Sequence, residues 1–276
     1  MGKFDGILIC TDLDGTLLKG DKTVSVENTD AIEYFKANGG KFTFVTGRMP
    51  YYAVETYNQI KPNAPVGCIN GGGLYDYEAE QYIWKCGLSV PDVKELLAYV
   101  DENLPEVSIA LSGFLNTYFA KNNAAFERFR RLTKLPNITA DYLTFDGEVG
   151  KILFGTDVEE SMQKLIALIN THPRAEEFDF IRSERTLYEI LPKGIGKGTV
   201  VTKLAEHLHI DITRCIAIGD YNNDVSMIRA AGVGVAVANA CPEALAAADI
   251  VTVSNEEHAI AKVIEDVESG KICFNA

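Results

Sequence analysis

Short apolar runs that stop abruptly at polar loops, with helical patterns between one run and the next, constrain this chain more than any other feature. Residues 4 to 12 are largely apolar and end in carboxylates, Lys41-Phe-Thr-Phe-Val45 is aromatic and β-branched, and Val66-Gly-Cys-Ile69 is a further short run. These patterns predict buried strands. Between the first two, Ser25 is placed to cap a helix, Ala31, Ile32 and Phe35 share one apolar face, and Asn38-Gly39-Gly40 ends it. Strand, helix, strand is a βαβ unit. The grammar returns near the C-terminus, where helices over 199–208, 223–231, 243–247 and 257–267 alternate with strands over 215–218, 233–237 and 250–253. The expected class is α/β, with a Rossmann-like doubly wound parallel sheet as core.

The middle of the chain follows a different pattern. A hairpin is predicted over 73–85, helices over 91–102, 124–134 and 159–170, paired strands over 107–120, a strand over 152–154, and two more over 178–191 that turn at Ser183-Glu184. Strands in groups between isolated helices predict an α+β domain with an antiparallel sheet. The expected layout is therefore a core made of residues 1–83 and 191–276, with residues 84–190 inserted as a second domain. Length agrees, since 276 residues suit two domains at roughly 100 to 200 residues each.

Composition removes several function classes. Lys and Arg number 26 against 39 Asp and Glu, and the net charge of −13 sets the surface field against nucleic acid and anionic lipid. The apolar run Ile7 to Cys10 is too short for a signal segment, and no run reaches the roughly 18 apolar residues of a membrane span. A cytoplasmic protein without membrane or nucleic-acid partners is expected, as a monomer or weak homo-oligomer. Six cysteines are scattered without a C-x-x-C pair and read as reduced, mostly buried side chains, and four histidines show no ligand spacing.

Four polar islands fall where predicted strands end, and in open parallel sheets the loops at the carboxyl ends of strands can meet although they are distant in sequence. The first is Asp12-Leu13-Asp14-Gly15-Thr16, two carboxylates beside a glycine that permits a turn. One can serve as a nucleophile and the other as a proton donor and then a base. The second, Thr46-Gly47-Arg48, places a hydroxyl and backbone N–H groups at a helix start, an anion seat. The third holds Lys197 in Gly194-Ile195-Gly196-Lys197-Gly198; a P-loop requires Ser or Thr after the lysine, so that reading fails, and a single ammonium beside a phosphate remains. The fourth, Gly219-Asp220-Tyr221-Asn222-Asn223-Asp224, offers the hard oxygen ligands that Mg²⁺ prefers.

Taken in this order, the four islands resemble the motifs of haloacid dehalogenase-like phosphohydrolases, most closely the Cof-type subfamily. Asn70-Gly71-Gly72 resembles that subfamily's Asn-Gly turn after the third strand, and Leu191-Pro192-Lys193 resembles its approach to the lysine. Thirty-four positions separate Asp12 from Thr46, too few for a further domain, whereas 149 separate Arg48 from Lys197. The insertion thus follows the second motif, as in Cof-type proteins, where it forms a cap.

The resemblance implies a Mg²⁺-dependent phosphatase acting on small phosphorylated metabolites, sugar phosphates foremost, through an aspartyl phosphate. It implies Asp12 as nucleophile and Asp14 as acid and base. Mg²⁺ would be held by Asp12, the Asp14 backbone carbonyl and Asp220, with Asp224 orienting that shell. Thr46, Gly47, Leu13, Lys197 and Asn223 would hold the phosphoryl oxygens. Arg48 either binds substrate or pairs with an acidic neighbour, and Asn70 and Gly71 are further candidate substrate contacts. Tyr118, Arg128, Arg130 and Arg182 in the insertion include candidate contacts too, although ordinary packing is the better reading for each. A sugar phosphomutase would use the same aspartyl phosphate, and a receiver-like phosphoacceptor module is the non-catalytic alternative.

Overall fold

In the computed structural model, which describes residues 2–274, the first apolar run becomes β1 (Leu8–Thr11). It leads to α1 (Val26–Ala37), where the Ser25 hydroxyl accepts the Asn28 N–H at 3.2 Å and so satisfies one of the unpaired donors of the first turn. There follow β2 (Lys41–Phe44), α2 (Pro50–Ile60), which starts with a proline where no N–H is needed, β3 (Val66–Cys68), β4 (Gly73–Asp76) and β5 (Gln81–Lys85). The middle segment contains β6 (Leu88–Ser89), α3 (Val90–Asn103), β7 (Ser108–Ser112), β8 (Thr117–Lys121), α4 (Ala124–Thr133) and β9 (Ile138–Thr139). It continues through β10 (Glu148–Val149), β11 (Lys151–Gly155), α5 (Glu159–Asn170), β12 (Phe178–Glu184) and β13 (Leu187–Pro192). The remaining elements are α6 (Lys197–Leu208), β14 (Cys215–Gly219), α7 (Val225–Ala230), β15 (Val233–Ala236), α8 (Pro242–Ala247), β16 (Ile250–Val251) and α9 (Ala259–Glu268).

Two compact units emerge, one from residues up to Trp84 together with those from Gly196 onward, the other from Lys85–Ile195. In the first, five strands pair in parallel in the order β16-β15-β14-β1-β2. Side chains alternate between its faces as the pleat requires. Ile9, Phe42, Ile216 and Val235 pack with Phe35 of α1 and Ile260 of α9 on one side, and Leu8, Cys10, Cys215 and Ala217 pack with Val201 and Leu204 of α6 on the other. That is a doubly wound sheet. Because β1 has β2 on one side and β14 on the other, the chain leaves β1 and β14 at the point where strand order reverses, the place at which open parallel sheets bind ligands.

The second unit carries a six-stranded sheet in the order β12-β13-β11-β7-β8-β9, antiparallel except where β9 joins β8 in parallel. Its core lies on the face covered by α3 and α5, where Leu97, Met162 and Leu165 meet Ile109, Ile152 and Ile190. Leu191 and Pro192 complete β13 of this unit instead of opening the other.

Several boundaries differ from the pattern in the sequence. The β12–β13 turn falls at Arg185-Thr186, not Ser183-Glu184, because a register shift between Arg182 and Glu184 lengthens β12. The helix expected from residue 199 starts at Lys197, where the Gly196 N–H donates to the Thr199 hydroxyl at 3.3 Å. The helix expected over 257–267 breaks at His258, whose φ of 63° divides a 3-10 turn from α9. Of the cysteines, Cys10, Cys68 and Cys215 are buried and Cys273 is exposed. No helix among the described residues is long and apolar enough to cross a membrane.

Candidate active site

Asp12 follows β1, and its N–H donates to the Ile218 carbonyl of β14 at 2.9 Å, so backbone pairing continues one residue past the strand before the chain turns. Gly15 then takes φ of +90°, and a Cβ there would lie 2.5 Å from Asp220 Oδ2. Only glycine lets the first island pass so close to the fourth. Across this gap the Thr16 hydroxyl donates to Asp220 Oδ1 at 2.7 Å.

Lys197 is wholly buried, and its Nζ lies 2.5 Å from Asp12 Oδ1 and 2.5 Å from Asp224 Oδ1. The second oxygen of Asp224 accepts the N–H groups of Asp220 and Tyr221 at 2.9 and 3.0 Å, which folds the fourth island around that carboxylate. Asp12, Asp220 and Asp224 each present a carboxylate oxygen within 4.8 Å of the others. Two buried carboxylates and a half-buried third against one ammonium leave negative charge uncompensated. Burial lifts the Asp12 carboxyl well above its ordinary range; Lys197 opposes this, and Asp224, Asp220 and Asp14 add to it. Burial and the neighbouring Asp224 push Asp220 up to about 7. For Lys197, burial favours the neutral amine, but its two carboxylate partners more than reverse that and keep it an ammonium. Hard oxygens, excess negative charge and depth suit a small divalent cation.

Asp14 points elsewhere. The Arg48 guanidinium grips it through Nε to Oδ2 at 2.9 Å and Nη2 to Oδ1 at 2.7 Å, and Lys22 reaches Oδ1 at 2.8 Å. Burial alone would raise the Asp14 carboxyl, yet Arg48 and then Lys22 outweigh it and hold it below the usual carboxylate range. Arg48 thus meets an acidic neighbour. Thr16 belongs to the first island but has no separate signal for this contact in the sequence, and nothing local marks Lys22.

The second island follows β2. Thr46 is buried, its hydroxyl accepts the Arg48 N–H at 3.2 Å, and its own N–H donates to Gly67 at 3.0 Å. Among the described residues, neither the Leu13 N–H nor the Gly47 N–H donates to another part of the chain. Asn223 donates from Nδ2 to Asn70 Oδ1 at 3.0 Å, and Gly71 lies against the Gly196 carbonyl. Asp12, Asp14, Thr46, Gly47, Asn70, Gly71, Lys197, Asp220, Asn223 and Asp224 all belong to the first unit. In the second unit, Arg128 forks onto Asp157, Arg182 onto Glu159, and the Tyr118 ring packs on Phe145. Arg130 Nε is buried without a hydrogen-bond partner.

A model of a family described as haloacid dehalogenase-like hydrolase matches residues 9–264. YxeH of Bacillus subtilis (strain 168) is 32% identical over 96% of this chain and 99% of its own. From the same organism, 5-amino-6-(5-phospho-D-ribitylamino)uracil phosphatase YitU is 26% identical over 94% of this chain and 96% of its own. A solved structure described as the HAD subclass IIB sugar phosphatase BT4131 superposes with a TM-score of 0.78 at 22% identity, covering 96% of this chain and all of that one, 100%.

Proposed function

Since the chain belongs to the haloacid dehalogenase-like hydrolases, we propose that it hydrolyses small phosphate monoesters, sugar and polyol phosphates foremost, through an aspartyl phosphate on Asp12. The observation that carries this reading is the buried contact of Lys197 with both Asp12 and Asp224 beside Asp220. A carboxylate, a fixed ammonium and an acidic cluster fit to hold a divalent cation, at the sheet's switch point, suit attack on a phosphoryl group. The substrate named for YitU and the sugar phosphatase activity ascribed to BT4131 both point to phosphate carried on a hydroxylated carbon chain, and the substrate class is taken from there.

Asp12 oxygen bonds to phosphorus as the bond from phosphorus to the ester oxygen breaks, and that oxygen takes a proton from Asp14. Asp14, then ionised, draws a proton from water, the water oxygen attacks phosphorus, and Asp12 is released with inorganic phosphate. The Arg48 fork holds Asp14 as the anion, the form that activates water; its service as an acid requires that Arg48 let go. Lys197, Thr46, Asn223 and the N–H groups of Leu13 and Gly47 hold the phosphoryl oxygens, where negative charge shifts during transfer.

Asp12, Asp220 and the Asp14 carbonyl are the groups that would hold Mg²⁺, with Asp224 keeping Asp220 and Lys197 in place. When bound, the ion offsets the repulsion between carboxylate and phosphate, which is about 4 kcal/mol for one pair of unit charges at about 4 Å and a dielectric near 20. A phosphate-release panel over phosphorylated sugars, polyols, nucleotides and cofactors, run with and without Mg²⁺, tests the proposal. Release from sugar or polyol phosphates that requires Mg²⁺ is expected, and no release from any ester would end the phosphatase reading.

A further inference from the structure

The turn after β3 is strained in a way that local sequence does not demand. Ile69 has φ of 55° and Asn70 of 51°, followed by Gly71 at 102°. A left-handed β-branched residue is a rare and costly conformation. Such strain persists only where the surroundings over-determine it, and here three islands do so. The Ile69 N–H donates to the Arg48 carbonyl at 3.0 Å and the Asn70 N–H to the Thr46 carbonyl at 3.1 Å, which docks the turn on the second island. A Cβ on Gly47 would lie 2.9 Å from Asn70 Oδ1, and one on Gly71 would lie 2.0 Å from the Gly196 carbonyl, the residue before Lys197. The side chain of Asn70, 1% exposed, reaches the fourth island through Asn223.

We propose that Asn70 is a positioning residue for phosphoryl recognition: its Oδ1 takes one hydrogen of the Asn223 carboxamide and so fixes the direction in which Asn223 offers the other. A carboxamide has two donor hydrogens on one nitrogen, and it can rotate end over end when neither is held. With one engaged at 3.0 Å, the second is preorganised for an anion and needs no reorientation when the anion arrives. The backbone strain at Ile69 and Asn70 is what brings the carboxamide over Gly47 to reach Asn223. Asn70 therefore acts through Asn223, in place of touching substrate itself. This inference rests on the phosphatase reading for its importance but not for its test.

The test uses the full chain, with Asn70→Gly, which tolerates the left-handed backbone, Asn223→Ala, and the double variant. Three readouts apply: solvent exchange of the Asn223 side-chain hydrogens by NMR, inorganic phosphate affinity by calorimetry with Mg²⁺, and KM and kcat on p-nitrophenyl phosphate. In the wild-type chain one Asn223 hydrogen should be protected, and Asn70→Gly should abolish that protection. Asn70→Gly should also weaken phosphate binding and lower kcat/KM by roughly tenfold or more, while its melting temperature stays near wild type. The double variant should lose no more than Asn223→Ala alone, since the two act as one unit. Wild-type protection and affinity in Asn70→Gly would overturn the proposal, as would losses that multiply in the double variant. A wild-type chain that binds phosphate but hydrolyses no ester, with affinity still lost in Asn70→Gly, removes the phosphatase reading and leaves the positioning role standing.

Discussion

At Lys197 one ammonium, fully buried, faces two carboxylates that come from loops far apart in the chain. Removing either partner of such a contact leaves a buried charge without compensation, so substitutions here test chemistry cleanly only when they preserve shape. Asp12→Asn does so. It is expected to fold, with unchanged circular dichroism, and to lose at least about 10³ in turnover of p-nitrophenyl phosphate; wild-type turnover would exclude Asp12 as nucleophile. Asp14→Asn, which keeps the volume held by Arg48, should cost roughly 10² to 10⁴ on alkyl phosphates and far less on p-nitrophenyl phosphate, whose leaving group needs little protonation. Equal losses on both would argue against an acid role. The candidate site was legible as residue types at strand ends, but not as pairs. Nothing in Thr46-Gly47-Arg48 indicates that its guanidinium crosses to Asp14, and Lys22 joins them without any sequence signal.

Elements were legible where local chemistry decides them. Ser25 and Asn38 bound α1 because a hydroxyl at one end and a break before Gly39 at the other act over a few residues. Ser25→Ala is expected to cost about 1 kcal/mol in urea unfolding with kcat unchanged. Gly71→Ala should cost more than that and reduce activity as well, because φ of 102° and the Gly196 carbonyl leave no place for a methyl group. Boundaries drifted where tertiary pairing overrode local pattern. Ser183-Glu184 has turn chemistry, but pairing with β13 carries β12 to Glu184 and moves the turn on. His258 interrupts an otherwise continuous helical pattern, while the preceding 3-10 turn is capped by the Glu257 carboxylate, which accepts the Ser254 N–H at 3.2 Å.

Across the whole molecule, a net charge of −13 coexists with a site proposed for anions. Most of the acid is solvated, whereas Asp12, Asp220 and Asp224 are gathered below one lysine. Their mutual repulsion predicts a linkage between metal and stability. Mg²⁺ should raise the melting temperature of the wild-type chain, by an amount corresponding to about 2.7 kcal/mol at 100 times its dissociation constant. Asp220→Asn should lose most of that increment and, in EDTA, melt at or above the wild-type temperature because one of three mutually repelling carboxylates is gone. A metal-independent melting temperature would contradict the donor set. Periodicity, capping and turn residues, all acting within a few positions, determined that this chain makes a wound α/β sheet interrupted by an antiparallel segment. Strand order decided the rest. It sets Lys197 on Asp12 across 185 positions, Asn223 on Asn70 across 153 and Arg48 on Asp14 across 34, since side chains from distant strand ends can meet only after the sheet has placed β1 between β2 and β14.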